Sequence, residues 1–532
     1  MWQSTLLLLL STRLISAQSS DLEVCQQDPD VLTAQFPTQY IDIPVDHFKN
    51  DSRYGPHSNA TFKNRWWYND KYYTPGGPVI VLNAGESNGV YELSLLDVGQ
   101  PGTLAKATGG IAVVLEHRYY GDSFPVTRAN RSEPLTLEDY RFLTVQQALA
   151  DQAFFARNVR FPGHSDVDLT AANTPYFAIG CSYPGAVTAF ERIQYPDVYW
   201  GAIASSAVTV PKVDYWEWWD TIRQDSPPAC VAPVQKIINV ADTILLGENQ
   251  TQIEQLKHVF DQDPALNNTE FAALLKFDYD PYLRMWVPCR DQSSPQFCDI
   301  MGNTTLQFPQ LAAQEGEVRE IISNGGWANE SDTLTASFLN FVGYTTHLVP
   351  ATSSTQQDSS STSHVVKRAE TNTPQRAFSY SYQMCTELGY FIGAGGPQRP
   401  LPIISSLVTL DYLLEQCAQR FDLLTPPLHT DDVSRYGGFN VSYERLMLVG
   451  GEKDTWRTVT PLISSPTGSS GTPDEPRFVI EGGAHCWDQL GLRQNETSPG
   501  FPPEAVQEAQ RLQVETIQRW VEEWKSAKQG QS

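Results

Sequence analysis

At 532 residues the chain is long enough for one large domain carrying an insertion or for two domains, and burying a core is no obstacle. Its formal charge of -24, from 61 acidic against 37 basic side chains, repels the phosphates of nucleic acids and of anionic membranes, so neither is an expected partner. The same surplus of carboxylates suits solubility in acid, where part of it is neutralised.

The chain opens with Thr5-Leu-Leu-Leu-Leu-Leu10 and small residues around a cut after Ala17, which reads as a secretory signal peptide over residues 1–17, although no lysine or arginine precedes the leucines. The run is too short to span a bilayer and Arg13 interrupts it. Secretion is the expected destination, with a vacuole or lysosome as the alternative. Sequons at Asn50, Asn59, Asn130, Asn249, Asn267, Asn303, Asn329, Asn440 and Asn495 agree with that route and are expected to carry glycans. In that compartment the 8 cysteines favour disulfides over metal ligands, and no C-x-x-C or H-E-x-x-H pattern argues otherwise. The expected pairs are Cys385 with Cys417 and Cys289 with Cys298, leaving Cys25 and Cys230 open; Cys181 and Cys486 either pair or sit as small buried thiols.

After a polar entry segment, Pro78-Val-Ile-Val-Leu82 reads as a buried strand ending at Asn83-Ala-Gly85-Glu86, and Ile111-Ala-Val-Val-Leu115 as a second, running into Glu116-His-Arg-Tyr-Tyr-Gly-Asp-Ser123. That polar cluster faces a cleft or braces its floor as a buried ion pair. A helix over 143–155 precedes the stretch on which the chain turns, Tyr176-Phe-Ala-Ile-Gly180-Cys-Ser182-Tyr-Pro-Gly185-Ala-Val-Thr-Ala-Phe190. This is strand, tight turn, helix: it lifts the Ser182 hydroxyl above a sheet and aims helix N–H groups at the same point. Gly180 permits close passage of the turn, Gly185 lets the helix lie tight on the sheet, and Pro184 is tolerated because a first-turn residue has no intrahelical N–H bond to lose. Gly201-Ala-Ile-Ala-Ser-Ser-Ala207 is the next short strand.

From 208 to 436 the rhythm becomes helical and irregular, which we read as a mainly helical cap inserted between two parts of an α/β domain, 18–207 and 437–532. Within it, 351–373 is Ser/Thr/Gln-rich and expected to be a disordered loop; its dibasic Lys367-Arg368 is a candidate processing site, with an uncut loop as the plainer reading. The sheet resumes at Leu446-Met-Leu-Val449, followed by Gly450-Gly-Glu-Lys-Asp454-Thr-Trp456, and at Arg477-Phe-Val-Ile480, followed by Glu481-Gly-Gly-Ala-His485. The tail from Pro503 to about Lys528 has the spacing of a closing amphipathic helix.

A serine that attacks a carbonyl needs a histidine to take its proton and a carboxylate to fix that histidine's tautomer. Ser182, Asp454 and His485 each follow a strand and stand in the chain order of α/β-hydrolases. His117 also follows a core strand but precedes the serine, and Asp488 lies too near His485 to reach its far nitrogen easily. The Tyr183 N–H and an N–H at Gly85 are the expected oxyanion donors, and Gly85-Glu86 also fits an ordinary turn. An α/β-hydrolase fold follows, with no metal and no organic cofactor; an esterase or lipase would use the same three groups.

The motifs Glu116-His-Arg-Tyr-Tyr-Gly-Asp-Ser123, Leu143-Thr-Val-Gln-Gln-Ala-Leu-Ala-Asp151, Gly180-Cys-Ser-Tyr-Pro-Gly185, Ala204-Ser-Ser-Ala207, Cys385-Thr-Glu387, Gly451-Glu-Lys-Asp-Thr-Trp456 and Gly483-Ala-His485 occur in one order. They resemble the serine peptidase family of lysosomal prolyl carboxypeptidase, dipeptidyl peptidase II and thymus-specific serine protease, and look most like its secreted fungal members, some of which are acid prolyl endopeptidases. The resemblance implies cleavage on the carboxyl side of proline in peptide or protein substrates, through an acyl-enzyme. It places Ser182, Asp454 and His485 as the triad and Trp456 at the wall of the proline pocket, with a core tryptophan as the alternative; Glu86, in the loop after the first strand, is a further candidate at the substrate. A monomer or a homodimer is expected, the sequence not deciding between them. Departures are Cys181 where many members have glycine, Pro184 where they have a small residue, and Thr455 where they have proline. Whether cutting is endo, or exo as in a carboxypeptidase or dipeptidyl peptidase, is open at this level.

Overall fold

The apolar runs at 79–83, 111–115, 176–181 and 446–451 have no wet face, and in the computed structural model every one of their residues is buried in a single sheet. The structure describes residues 28–126, 135–275, 297–348, 373–396, 401–421, 428–492 and 500–530. The signal peptide, Cys25, Cys289, Asn130, Asn495, Lys367-Arg368 and nearly all of 351–373 lie outside these residues; Thr373, the last of that stretch, begins a helix, Thr373–Gln383.

The strands are β1 (Gln39–Pro44), β2 (Thr61–Asn69), β3 (Val79–Asn83), β4 (Ile111–Leu115), β5 (Tyr176–Cys181), β6 (Tyr199–Ser205), β7 (Lys212–Asp214), β8 (Gly389–Phe391), β9 (Leu446–Gly451), β10 (Gly468–Gly471) and β11 (Pro476–Ile480). Nine of them form one sheet in the order β1-β2-β4-β3-β5-β6-β9-β11-β10, while β7 and β8 make a separate parallel pair. The run from β4 to β11 is parallel throughout, and antiparallel strands close both edges. The entry segment is therefore not merely polar. It contributes β1 and β2, and the latter buries Trp66 and Trp67.

Side chains alternate between the two faces of such a sheet, and each face has its own core. Ile80, Leu82, Val114, Phe177 and Ile203 pack with helices α1 (Gln100–Thr108) and α7 (Glu504–Gln529), the latter through Val506, Ile517 and Trp520. Val79, Val81, Val113, Ala178 and Ala204 pack with α2 (Val145–Asn158) and α3 (Tyr183–Gln194), and that core runs on without a break into the residues between β6 and β9. There the chain is mainly helical, including α4 (Pro228–Leu245), α5 (Ser331–Gly343) and α6 (Leu410–Phe421). A parallel sheet covered on both faces by helices, with a strand-turn-helix at its centre, is the α/β-hydrolase fold.

Two disulfides tie the segment between β6 and β9. Cys385 joins Cys417, as the sequence suggests. Cys298 joins Cys230 on α4 and not Cys289. Nearness in sequence misleads at this point: the short helix Phe297–Met301 packs on α4, which brings Cys230, 68 residues away, within a Cα distance of 5.0 Å.

Candidate active site

From Thr174 to Arg192 only Ser182 is not fully buried. Its φ of 68° and ψ of -128° are outside the ordinary regions for a residue with a Cβ, so the hydroxyl is presented by a strained turn between β5 and α3. Close packing holds that turn. A Cβ on Gly180 would stand 2.6 Å from the Pro184 carbonyl oxygen, and one on Gly185 would stand 2.4 Å from the Ser205 carbonyl oxygen. The Ser182 N–H donates to Ser205 O at 3.0 Å. Pro184 sits in the first turn of α3, where its missing N–H costs nothing, and its ring fills the space before Gly85: a Cβ there would come within 2.2 Å of Pro184 Cγ.

Asp454 and His485, on loops after β9 and β11, are both buried and paired. The imidazole Nδ1 is 2.9 Å from each carboxylate oxygen of Asp454, and the Trp456 N–H donates to Asp454 Oδ1 at 2.8 Å. A carboxylate only accepts, so Nδ1 carries a proton and neutral His485 has Nε2 as its acceptor. Cys181, the residue before Ser182, is bonded to Cys486, the residue after His485. A ring nitrogen of His485 and the two sulfurs lie within 4.8 Å of one another. The structure thus brings the serine turn, the histidine and the aspartate to one end of the sheet. Of the two readings left open for Cys181 and Cys486, it shows the pair.

The other expected site residues divide. The Tyr183 N–H is the first of α3, where no intrahelical acceptor exists. The Gly85 N–H, by contrast, donates to Asn83 Oδ1 at 2.9 Å within a buried turn, so it is already engaged and not aimed at an incoming oxygen. Glu86 follows it and is half-buried. Trp456 is buried, its ring centroid 6.3 Å from that of His485 at 39°.

Two residues not singled out from the sequence pack against Trp456. Tyr215 and Tyr390 each place a ring 5.3 Å from Trp456, and the parallel pairing of β7 with β8 is what carries them there. Tyr215 donates to Thr455 O at 3.0 Å and Tyr390 to Val208 O at 2.9 Å, so both rings are fixed at their hydroxyls. Thr455, where relatives of the resemblance have proline, is thereby held by its carbonyl. The sequence signal was slight: Tyr390 follows Cys385-Thr-Glu387 by three positions, and Tyr215 merely precedes a group of tryptophans.

The polar cluster after β4 is a brace. Glu116 takes Arg65 through both oxygens, at 2.8 and 2.6 Å, together with the Gly89 N–H and the Ser123 hydroxyl, which leaves it no role at a substrate. His117 donates from Nδ1 to Arg118 O, so its Nε2 accepts the Tyr183 hydroxyl at 3.0 Å; burial pulls its pKa down to about 4 and keeps it neutral. Asp488 turns from the imidazole to Ser205 Oγ and Gln513 Nε2, and burial pushes its carboxyl up. Among the described sequons, Asn50, Asn59, Asn249, Asn267, Asn329 and Asn440 are exposed and Asn303 is half-buried. Among the described residues the one group with metal-ligand spacing is Cys181, His485 and Cys486, and its sulfurs are spent on each other. No described helix is long and apolar enough to cross a membrane.

Comparison with known proteins bears on this geometry. Residues 44–499 match the model of the family described as serine carboxypeptidase S28. The chain is 34% identical over 498 residues to the "Probable extracellular serine carboxypeptidase" of Arthroderma benhamiae, covering 92% of this chain and 68% of that one. It is 25% identical to the "Thymus-specific serine protease" of Mus musculus, over 93% of this chain and 88% of that one. To the "Lysosomal Pro-X carboxypeptidase" of the same species it is 24% identical, with 96% and 94% covered. With a match that runs through the turn of Ser182 and the loop of Asp454 and past His485, the chain belongs to the serine carboxypeptidase S28 family of serine peptidases.

Proposed function

We propose that the chain hydrolyses peptide bonds on the carboxyl side of proline through an acyl-enzyme, with Ser182 as nucleophile, His485 as proton carrier and Asp454 as the carboxylate that orients it. The observation that carries this reading is the aromatic wall beside the paired imidazole: Trp456 stands two residues from Asp454, tilted over His485 and boxed by Tyr215 and Tyr390. A pyrrolidine ring is apolar and flat-sided, so an indole face receives it without a polar group to desolvate. In the reaction the Ser182 hydroxyl loses its proton to His485 Nε2 while the new carbonyl oxyanion is held by the Tyr183 N–H and a backbone N–H of the loop after β3. His485 then returns the proton to the leaving amine, and water repeats the cycle on the acyl-enzyme.

The segment 208–436 is, in this reading, a cap that contributes the pocket wall, and the flanking parts 18–207 and 437–532 form the hydrolase domain. Secretion, glycosylation and work in acid are supported by the exposed sequons, the net charge and the extracellular relative. Carboxypeptidase action has its own support in the names of two relatives, one of them Pro-X. Ser182→Ala is expected to abolish both fluorophosphonate labelling and cleavage. Trp456→Ala is expected to cost roughly 10- to 100-fold in kcat/KM on a blocked X-Pro amide, the effect of losing about 1.5–3 kcal/mol of apolar contact. A simple acyl ester turned over faster than that amide would make the chain an esterase. Free, amino-blocked and carboxyl-blocked proline peptides separate the modes: loss of cutting on carboxyl-blocking alone means carboxypeptidase, and equal cutting of all three means endopeptidase.

A further inference from the structure

We infer that the Cys181–Cys486 disulfide is a positioning element of the reaction, a strut that sets the Ser182 hydroxyl against the His485 imidazole, in addition to any contribution to stability. This rests on the triad reading proposed above. The bridge joins the residue immediately before the serine to the residue immediately after the histidine, across 305 residues of sequence, with a Cα distance of 5.8 Å. No other bond in the described chain ties the two loops at a single residue's remove. Consecutive Cα atoms are about 3.8 Å apart, so a bridge at that remove limits how far the two loops can drift from each other.

The loops it joins are the ones with a reason to drift. Seven non-glycine residues among those described have positive φ, and three of them meet here: Ser182 at 68°, Cys486 at 60° and Ser206 at 42°. Each is a conformation that an L-residue leaves when its surroundings relax. Non-covalent ties between the two loops run through the end of β6 and the residues after it: the Ser182 N–H donates to Ser205 O at 3.0 Å and the Val208 N–H to Ser182 O at 3.4 Å, while on the other side the Cys486 N–H donates to Ser206 Oγ at 3.2 Å and the Ser205 hydroxyl to Asp488. Both cysteines are buried and both sulfurs lie within 4.8 Å of a ring nitrogen of His485, so the strut stands beside the imidazole itself. The Asp454 contact fixes the tautomer of that ring, whereas its distance from the serine is set by how the two loops approach.

The experiment compares Cys181→Ser/Cys486→Ser with Cys230→Ser/Cys298→Ser, whose bridge joins two helices of the segment between β6 and β9. Steady-state kinetics on a blocked X-Pro amide, the rate of fluorophosphonate labelling and the thermal midpoint are measured for each, well below that midpoint. We expect the first variant to lose tenfold or more in kcat and in labelling rate with KM within about twofold, and the second to lose thermal stability alone. Equal kcat in the first variant and wild type would overturn the inference. Should the first variant not fold, the folded wild type is treated with a phosphine reductant, and labelling rate is followed against the fraction of Cys181–Cys486 opened, read by mass spectrometry of alkylated thiols. Labelling that falls in step supports the strut; unchanged labelling with the bridge fully open refutes it. Ser182→Ala and His485→Ala serve as the separate check, because activity surviving in them would remove the triad itself, whatever the bridge does.

Discussion

The sheet and the segment between β6 and β9 hold their parts in place by different means. At the sheet, position is a property of the backbone: Ser182, Asp454 and His485 stand where parallel strands β5, β9 and β11 end, and the register of those strands leaves their loops little choice. In the intervening segment, position is a property of side chains. Tyr215 and Tyr390 reach Trp456 by a ladder of three-residue strands, two hydroxyl bonds and the packing of a core continuous with that of the sheet. In the proposed reading the chemistry is thus mounted on loops set by backbone register and the pocket wall on packed side chains, so a change in the wall is expected to alter what is bound before it alters how it is cut.

That division is broken most severely by Asp454→Asn. The amide still fits, but its NH2 group faces Nδ1 and favours the tautomer that puts the proton on Nε2, where the acceptor should be. A drop of roughly 10⁴-fold in kcat is expected with the thermal midpoint little moved. A loss below tenfold would mean that another group orients the imidazole.

The opposite signature is expected for the Cys230–Cys298 bridge. It closes a loop of 68 residues in the intervening segment, for which the chain-entropy account gives about 4 kcal/mol of stability. Replacing both cysteines by serine is expected to remove much of that, read by chemical denaturation, while kcat on a proline amide stays within twofold. A fall in kcat of tenfold would show that the segment positions the chemistry as well as the substrate, and would erase the contrast drawn above.

How much of this was legible in the sequence follows the same line. The turn at Ser182 announces itself because an apolar strand changes to helical spacing at one residue flanked by Gly180 and Gly185, and the structure shows why both must lack a Cβ. Continuous apolar runs gave β3, β4, β5 and β9 nearly to the residue. The edge strands were not legible: β10 is Gly-Ser-Ser-Gly, with no strand preference at all, while β1 carries Gln39, Asp42 and Pro44 and β2 carries Lys63, Asn64 and Arg65, enough for both to read as polar entry. Cys230 could not be assigned to Cys298 because helix packing, not spacing, decides that approach. Gly85 was read as an N–H donor where its value is the missing Cβ that admits the Pro184 ring, its own N–H being held by Asn83.

The smallest of the expected effects concerns Glu387, which lies in the Cys385-Thr-Glu387 motif at the seam between the two regions and accepts the Val145 N–H at the start of α2, at 2.8 Å. Burial drives its pKa from 4.5 up to about 7, against the opposing pull of that N–H and of Arg53. A carboxyl whose pKa is raised on folding favours the folded state most when protonated, so its contribution is complete below about pH 4.5 and is lost as pH rises through about 7. That difference corresponds to about 3 kcal/mol. Glu387→Gln keeps an acceptor for Val145 and cannot ionise, so its stability should be flat where the wild type declines, the two curves separating from about pH 4.5 to 7. At the acid end the opposite sign applies to Asp151: burial raises its carboxyl, but Arg118, through two contacts of 2.6 Å, and His47 outweigh burial and hold it below 3.8. Its stabilisation is lost only as pH falls beneath that value, so the two carboxyls together centre the stability of the seam on acid pH. Parallel wild-type and Glu387→Gln curves across pH 4.5 to 7 would show that the carboxyl is already solvated there, and that the seam is looser than its burial implies.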